Sequence, residues 1–216
     1  MKQPKIFNLG LSRTGTTSMH KATQALGMRS THALNGGGWP LCHYIYPMMR
    51  NDFQWLDIWN QFDAFHDLPI PLFYRQFYQQ FPDAKFILTP RDKKTWLASC
   101  HHLVDNLQSH VRVYVTHNKT PEVMMMLSAF IRYITYGTVD FNKQLYSETY
   151  DKHYQDVLDF FDDPSRKSQL LVLPICKPDK DDEQTWLSLC SFLNIPRNIT
   201  RYISKQPFPH RNKRGG

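Results

Sequence analysis

The chain has 216 residues, 26 Lys and Arg against 19 Asp and Glu, and a formal net charge of +7. Single cores split only beyond roughly 250 to 300 residues, so one domain is expected, and 41% hydrophobic residues with 14 Phe, 11 Tyr and 5 Trp exclude a disordered chain. No apolar run approaches the roughly 18 residues of a membrane helix and no secretory signal opens the chain, which predicts a soluble, cytoplasmic protein with no membrane partner.

Lys5 to Leu9 is a short apolar run ending at Gly10. The polar turn after it leads into a helix on which Met19, Ala22 and Leu26 recur at helical spacing, stopped at Gly27. Residues 28–65 show no clear period: Asn35 to Gly38 reads as a flexible loop, and the aromatic stretch from Trp39 to Trp59 as irregular or short helices. Phe62 to His66 reads as a strand reaching Asp67, and Pro69 and Pro71 open a helix with Phe73, Tyr74 and Phe77 on one face. Lys85 to Thr89 is a buried strand, followed by Pro90-Arg91-Asp92 and a helix through Leu107.

Residues 123–136 are apolar nearly all round, which predicts a core helix that takes Met124, Met125 and Met126 inside. An amphipathic segment runs from Phe141 to Phe161, Leu170 to Leu173 reads as strand, and Glu183 to Leu193 as helix. The alternation predicts an α/β protein with a mainly parallel central sheet flanked by helices. Cys42, Cys100, Cys176 and Cys190 stand far apart with no CxxC, so reduced, buried thiols are expected rather than zinc ligands or disulfides. His101-His102 lacks a third ligand at metal spacing and reads as surface.

Gly10-Leu11-Ser12-Arg13-Thr14-Gly15-Thr16-Thr17 has the G-x4-G spacing of a phosphate-cradling loop between strand and helix. Backbone N–H groups and the helix N-terminus converge on an oxyanion in such a loop. Threonine occupies position 16, where a nucleoside triphosphatase places lysine on the terminal phosphates, so conventional triphosphate hydrolysis is disfavoured. Arg13 is placed to arch over an anion, and Thr16 and Thr17 offer hydroxyls at the helix start. Residues 201–216 carry Arg201, Lys205, Arg211, Lys213 and Arg214 without an acid, either a solvated tail or part of an anion site.

The stretch Leu11 to Ser18 resembles the 5′-phosphosulfate loop of sulfotransferases that use 3′-phosphoadenosine 5′-phosphosulfate (PAPS), which reads G-x-[KR]-[ST]-G-T-[TS]. Asp67-Leu68-Pro69 with Phe73-Tyr74 is similar to that family's D-x-P…FY segment, and Phe81 to Asp92 to its YPDAKVILTVRD segment. His153 to Phe161, Leu170 to Ile175, Trp186 to Leu193 and Pro207 to Asn212 follow its C-terminal half. The resemblance implies a P-loop NTPase-like sulfotransferase fold, with residues 1–210 as a single sulfotransferase domain and 211–216 as a basic C-terminal tail. It also implies Arg91 and Ser99 on the cofactor's 3′-phosphate, and Arg211 in the segment that closes over it.

The implied activity is in-line transfer of the sulfuryl group from PAPS to a hydroxyl or amine of a small-molecule acceptor, leaving adenosine 3′,5′-bisphosphate. No metal is required in that scheme. Arg13 and the loop donors Thr14, Gly15, Thr16, Thr17 and Ser18 would hold the 5′-phosphate and neutralise the leaving oxygen. For the base, His66 and Asp67 both end a strand, where parallel sheets face ligand. Histidine titrates near neutrality and Asp67 lies in the D-x-P element; adjacent strand residues face opposite ways, so one of the two is expected in the site. The alternative is a nucleotide- or nucleic-acid-binding module, or a kinase-like P-loop protein, without sulfotransferase activity. Acceptor identity and oligomeric state are open, and nucleic acid is not the expected partner.

Overall fold

The computed structural model describes residues 4–33, 48–50, 58–106, 121–177 and 179–210, with the backbone alone for 121–125. The strands are β1 (Ile6–Asn8), β2 (Ser30–His32), β3 (Ala64–His66), β4 (Lys85–Leu88) and β5 (Leu170–Val172). The helices that matter below are, in chain order, α1 (Thr16–Ala25), α2 (Ile58–Gln61), α3 (Tyr74–Gln80), α4 (Lys93–Asp105), α5 (Pro121–Tyr136), α6 (Lys143–Phe161), α7 (Asp182–Phe192) and α8 (Arg197–Ile203). These elements fall into two compact units, one running to Arg91 and resuming at Phe161, the other from Asp92 to Phe160.

The first unit is built on a five-stranded sheet of order β2-β3-β1-β4-β5 in which every neighbouring pair is parallel. The expected α/β architecture is what the chain forms. Pleating sends alternate residues to opposite faces, so the register that aligns Phe7 with Phe65 and Phe86 puts three rings on one face. There Phe7 stacks on Phe77 of α3 at 4.3 Å and on Phe65 at 5.3 Å, with Trp59 of α2 edge-on and Phe161 against Phe86. The opposite face carries Ile6, Ala64 and Ile87, packed with Met19 and Ala22 of α1, Trp186 and Leu189 of α7 and Ile203 of α8. With both faces covered, the inner strands β1, β3 and β4 need no polar side, which explains their short apolar runs.

Past α8 the chain is pinned to α7. The Trp186 indole N–H donates to the Gln206 carbonyl (3.0 Å), the Phe208 N–H to Asp182 Oδ2 (3.0 Å), and the Phe208 ring packs on Trp186.

In the second unit Asp92 caps α4 by accepting the Thr95 N–H at 2.9 Å. Trp96 is fully buried among Tyr136, Tyr146 and Tyr150, with ring centroids 6.3, 6.1 and 4.6 Å away. Burial pushes the Tyr146 phenol pKa well up.

Four expectations are corrected. Residues 28–65 include the strand β2, whose Ser-Thr-His sequence has no hydrophobic alternation. Ile70–Phe73, the start of the expected helix, is a 3₁₀ turn ahead of α3. The helix α8 follows Pro196 where no helix was read. On α5, Met126 is 72% and Tyr133 59% exposed, so the all-round core helix is not what forms; its buried side is Ile131, Thr135 and Tyr136. Trp39 and most of the aromatic stretch, with Cys42, lie outside the described residues, as do the side chains of Met124 and Met125. Cys100 and Cys190 are buried free thiols and Cys176 a half-buried one.

Candidate active site

β1 lies at the centre of the sheet, so the turns leaving β1 and β4 emerge side by side at its carboxyl edge. Their contact is polar and buried. Asn8 Oδ1 accepts from the Gly10 N–H (2.9 Å) and from Thr89 Oγ1 (3.3 Å), and Thr14 Oγ1 donates to the Leu11 carbonyl (2.7 Å) while lying 3.0 Å from Thr89 Oγ1. Only glycine fits at position 10, because a Cβ there would stand 1.9 Å from Thr89 Oγ1 and 2.4 Å from Thr14 Oγ1. Asn8 Nδ2 is buried without a partner among the described residues.

The loop then turns through Arg13 at φ 72° and Gly15 at φ 91°, both left-handed. The Arg91 guanidinium donates to the Arg13 carbonyl at 2.8 Å, which ties the turn after β4 to the loop and fixes Arg13 in a conformation costly for a side chain. Helix α1 begins at Thr16 with no side-chain cap and no acidic residue in its first turn, so the positive end of its dipole favours an anion. Ile175 and Cys176 close against Gly15, and burial raises the Cys176 thiol pKa against the opposing pull of Arg91 and Lys180.

The neighbouring strand ends bring up histidines and one carboxylate. His32, the last residue of β2, sets Nε2 at 3.1 Å from Thr16 Oγ1, 3.2 Å from Thr17 Oγ1 and 3.3 Å from Asp67 Oδ2. Asp67 follows β3 at φ 69°, and its own Oδ1 accepts the Leu68 N–H at 2.9 Å, a local bond that makes the left-handed conformation tolerable for Asp. Behind them, His66 faces α1, with Nε2 3.1 Å from Thr23 Oγ1, and His20 Nδ1 lies 2.8 Å from Ser30 Oγ. Burial first, then His32 and Lys21, lowers His20 to about 4; burial, with His20 and His32, takes His66 well below its usual value.

Three of the four non-glycine residues at positive φ among the described residues, Arg13, Ala33 and Asp67, therefore follow β1, β2 and β3 along this one edge. Strain gathered at one edge of a sheet marks a working site.

The sequence-predicted residues divide accordingly. Arg13, Gly15, Thr16, Thr17 and Asp67 converge here, with Arg91 bonded to the loop. Ser18 is buried in the first turn of α1. Thr14 is fully buried and both its N–H and its hydroxyl are spent inside the loop, so it shapes the turn and has no donor left for a ligand. His66 is fully buried on the α1 side of the sheet, which removes it as the base that meets an acceptor. Ser99 is buried on α4, in the second unit, and Arg211 lies outside the described residues. His101 and His102 are exposed, as expected. The sequence reading missed His32, whose partners are distant in the chain and whose strand carries no periodic signal. Among the described residues there is no cluster of three or more His, Cys, Asp or Glu able to hold a metal, and no helix long and apolar enough to cross a membrane.

A parallel α/β sheet whose central strand feeds a glycine-bounded loop and an uncapped helix defines an anion-binding enzyme scaffold. The family described as "Sulfotransferase domain" matches residues 5–216, and the chain belongs to that family. It is also similar to "Ava biosynthesis cluster protein M" of Aspergillus versicolor, at 25% identity over 226 residues, covering 95% of this chain and 80% of the relative.

Proposed function

We propose that the protein transfers a sulfuryl group from PAPS to a hydroxyl or amine of a small molecule. The observation that carries this is the loop from Gly10 to Thr17, folded onto β4 through Thr89 and Arg91 and opening into the uncapped start of α1. It suits the cofactor's 5′-phosphate by its chemistry: Arg13 stands in the loop, Thr16 and Thr17 carry hydroxyls at the helix start, and the first turn of α1 holds no acidic residue. PAPS supplies the sulfuryl group and departs as adenosine 3′,5′-bisphosphate. Arg13, the amides from Gly15 onward and the hydroxyls of Thr16 and Thr17 bind the 5′-phosphate and favour the charge that gathers on it. Arg91 and Ser99 are proposed for the 3′-phosphate, and Arg211 for its cover, on the family resemblance alone.

Asp67 is the proposed acceptor of the substrate proton. Its carboxylate is partly exposed at the same edge as Thr16 and Thr17, whereas His66 is sealed behind the sheet. A base positioned in this way contributes about 10² to 10⁴ in rate. With radiolabelled PAPS and a panel of phenols, alcohols and amines, the wild type is expected to label an acceptor and Asp67→Asn to lose that factor while still binding the bisphosphate. Undiminished transfer by Asp67→Asn would remove Asp67 from this role.

A further inference from the structure

We propose that His32 is a positioning residue that couples an oxyanion on the Gly10–Thr17 loop to the carboxylate of Asp67, an inference that rests on the sulfotransferase reading. Three oxygens crowd one ring nitrogen: Nε2 is 3.1 Å from Thr16 Oγ1, 3.2 Å from Thr17 Oγ1 and 3.3 Å from Asp67 Oδ2. A ring nitrogen of neutral imidazole either donates one hydrogen or accepts one. As an acceptor, Nε2 takes a threonine hydroxyl proton and turns a lone pair toward the carboxylate, which is repulsive. As a donor, it serves Asp67, and the hydroxyl protons must point elsewhere.

The choice is therefore set by where the Thr16 and Thr17 protons go. Both residues stand in the first turn of α1, which has no side-chain cap. An oxyanion at that helix start draws both hydroxyl protons onto itself, and Nε2 is left only its donor role. Its hydrogen then holds the Asp67 carboxylate in place. An empty loop lets Nε2 accept, and Asp67 loses its fixed partner. Donor occupancy is in this way transmitted to the proton acceptor through one imidazole.

The test is two-bond ¹H–¹⁵N spectroscopy of the imidazoles in the full chain, labelled at histidine, assigned with His32→Gln and titrated with adenosine 3′,5′-bisphosphate. Saturation is expected to move His32 Nε2 from the unprotonated to the protonated type, a change diminished in Asp67→Asn. His32→Gln keeps an N–H donor, so it should bind nearly as wild type. His32→Ala should bind about five-fold more weakly, the worth of one hydrogen bond. Saturated protein with unchanged His32 nitrogens overturns this inference alone; absence of any bisphosphate binding overturns the sulfotransferase reading and the inference with it.

Discussion

Gly10 tolerates no substituent. The atoms a Cβ would strike, Thr89 Oγ1 and Thr14 Oγ1, are the ones that bond the loop to β4, so the side chain cannot be accommodated by moving a flexible end. Gly10→Ala is expected to cost about 1 to 3 kcal/mol of stability, as overpacking of a buried contact does, and to weaken bisphosphate binding as well. Urea unfolding measures the first; a variant with wild-type stability would show that the loop yields. The glycine spacing made this position readable from sequence, since close approach is what glycine is used for. The role of Thr14 was not readable: a threonine in such a loop can point at a ligand or back into its own turn, and only the fold decides.

The histidines behind the site give stability a pH dependence. His20 and His66 have pKa values depressed by burial and by neighbouring histidines, whereas in the unfolded chain each titrates near the ordinary histidine value of 6.5. Below that value the unfolded chain binds protons that the native state refuses, so the stability is full above about pH 6.5 and falls as the pH drops toward about 4, the folded value of His20. The urea midpoint should decline between about pH 7 and about pH 5, and His66→Gln should flatten the decline. A midpoint independent of pH across that range would contradict the burial described here.

At the scale of elements, β2 is one that sequence could not supply, and His32 depends on it. Its three residues are polar and it lies at the sheet edge, so neither period nor apolarity announces it. Its start is clamped instead by a charged pair: the Arg29 guanidinium donates to both oxygens of Asp63 at 3.0 and 2.7 Å, and holds that carboxyl below the usual range. Asp63→Ala should accelerate hydrogen exchange at the Ala33 amide, which donates to the His66 carbonyl at 2.8 Å, and leave the Leu9 amide, bonded to Ile87, unaffected. Equal acceleration at both amides would mean that the pair supports the whole sheet rather than its edge. By contrast β1, β3, β4 and α1 were readable, because buried parallel strands need apolar runs and α1 shows its apolar stripe between two glycines.

For the whole molecule, the alternation of strand and helix was enough for the architecture, and the collinear resemblance of the Gly10–Thr17 loop, the Asp67–Tyr74 and Phe81–Asp92 segments and the C-terminal stretches was enough for the family. The pairing of His32 with Asp67 was not, because strand order, set by packing across the sheet, is what brings the ends of β2 and β3 together. Binding of adenosine 3′,5′-bisphosphate, measured by calorimetry against Mg-ATP in wild type, Arg13→Ala and Arg91→Ala, bears on the donor site without needing an acceptor. Metal-independent binding of the bisphosphate, weakened at least ten-fold by each substitution, about 1.4 kcal/mol, is the result this structure predicts. Preference for Mg-ATP, or bisphosphate affinity unchanged by loss of Arg13, would contradict it.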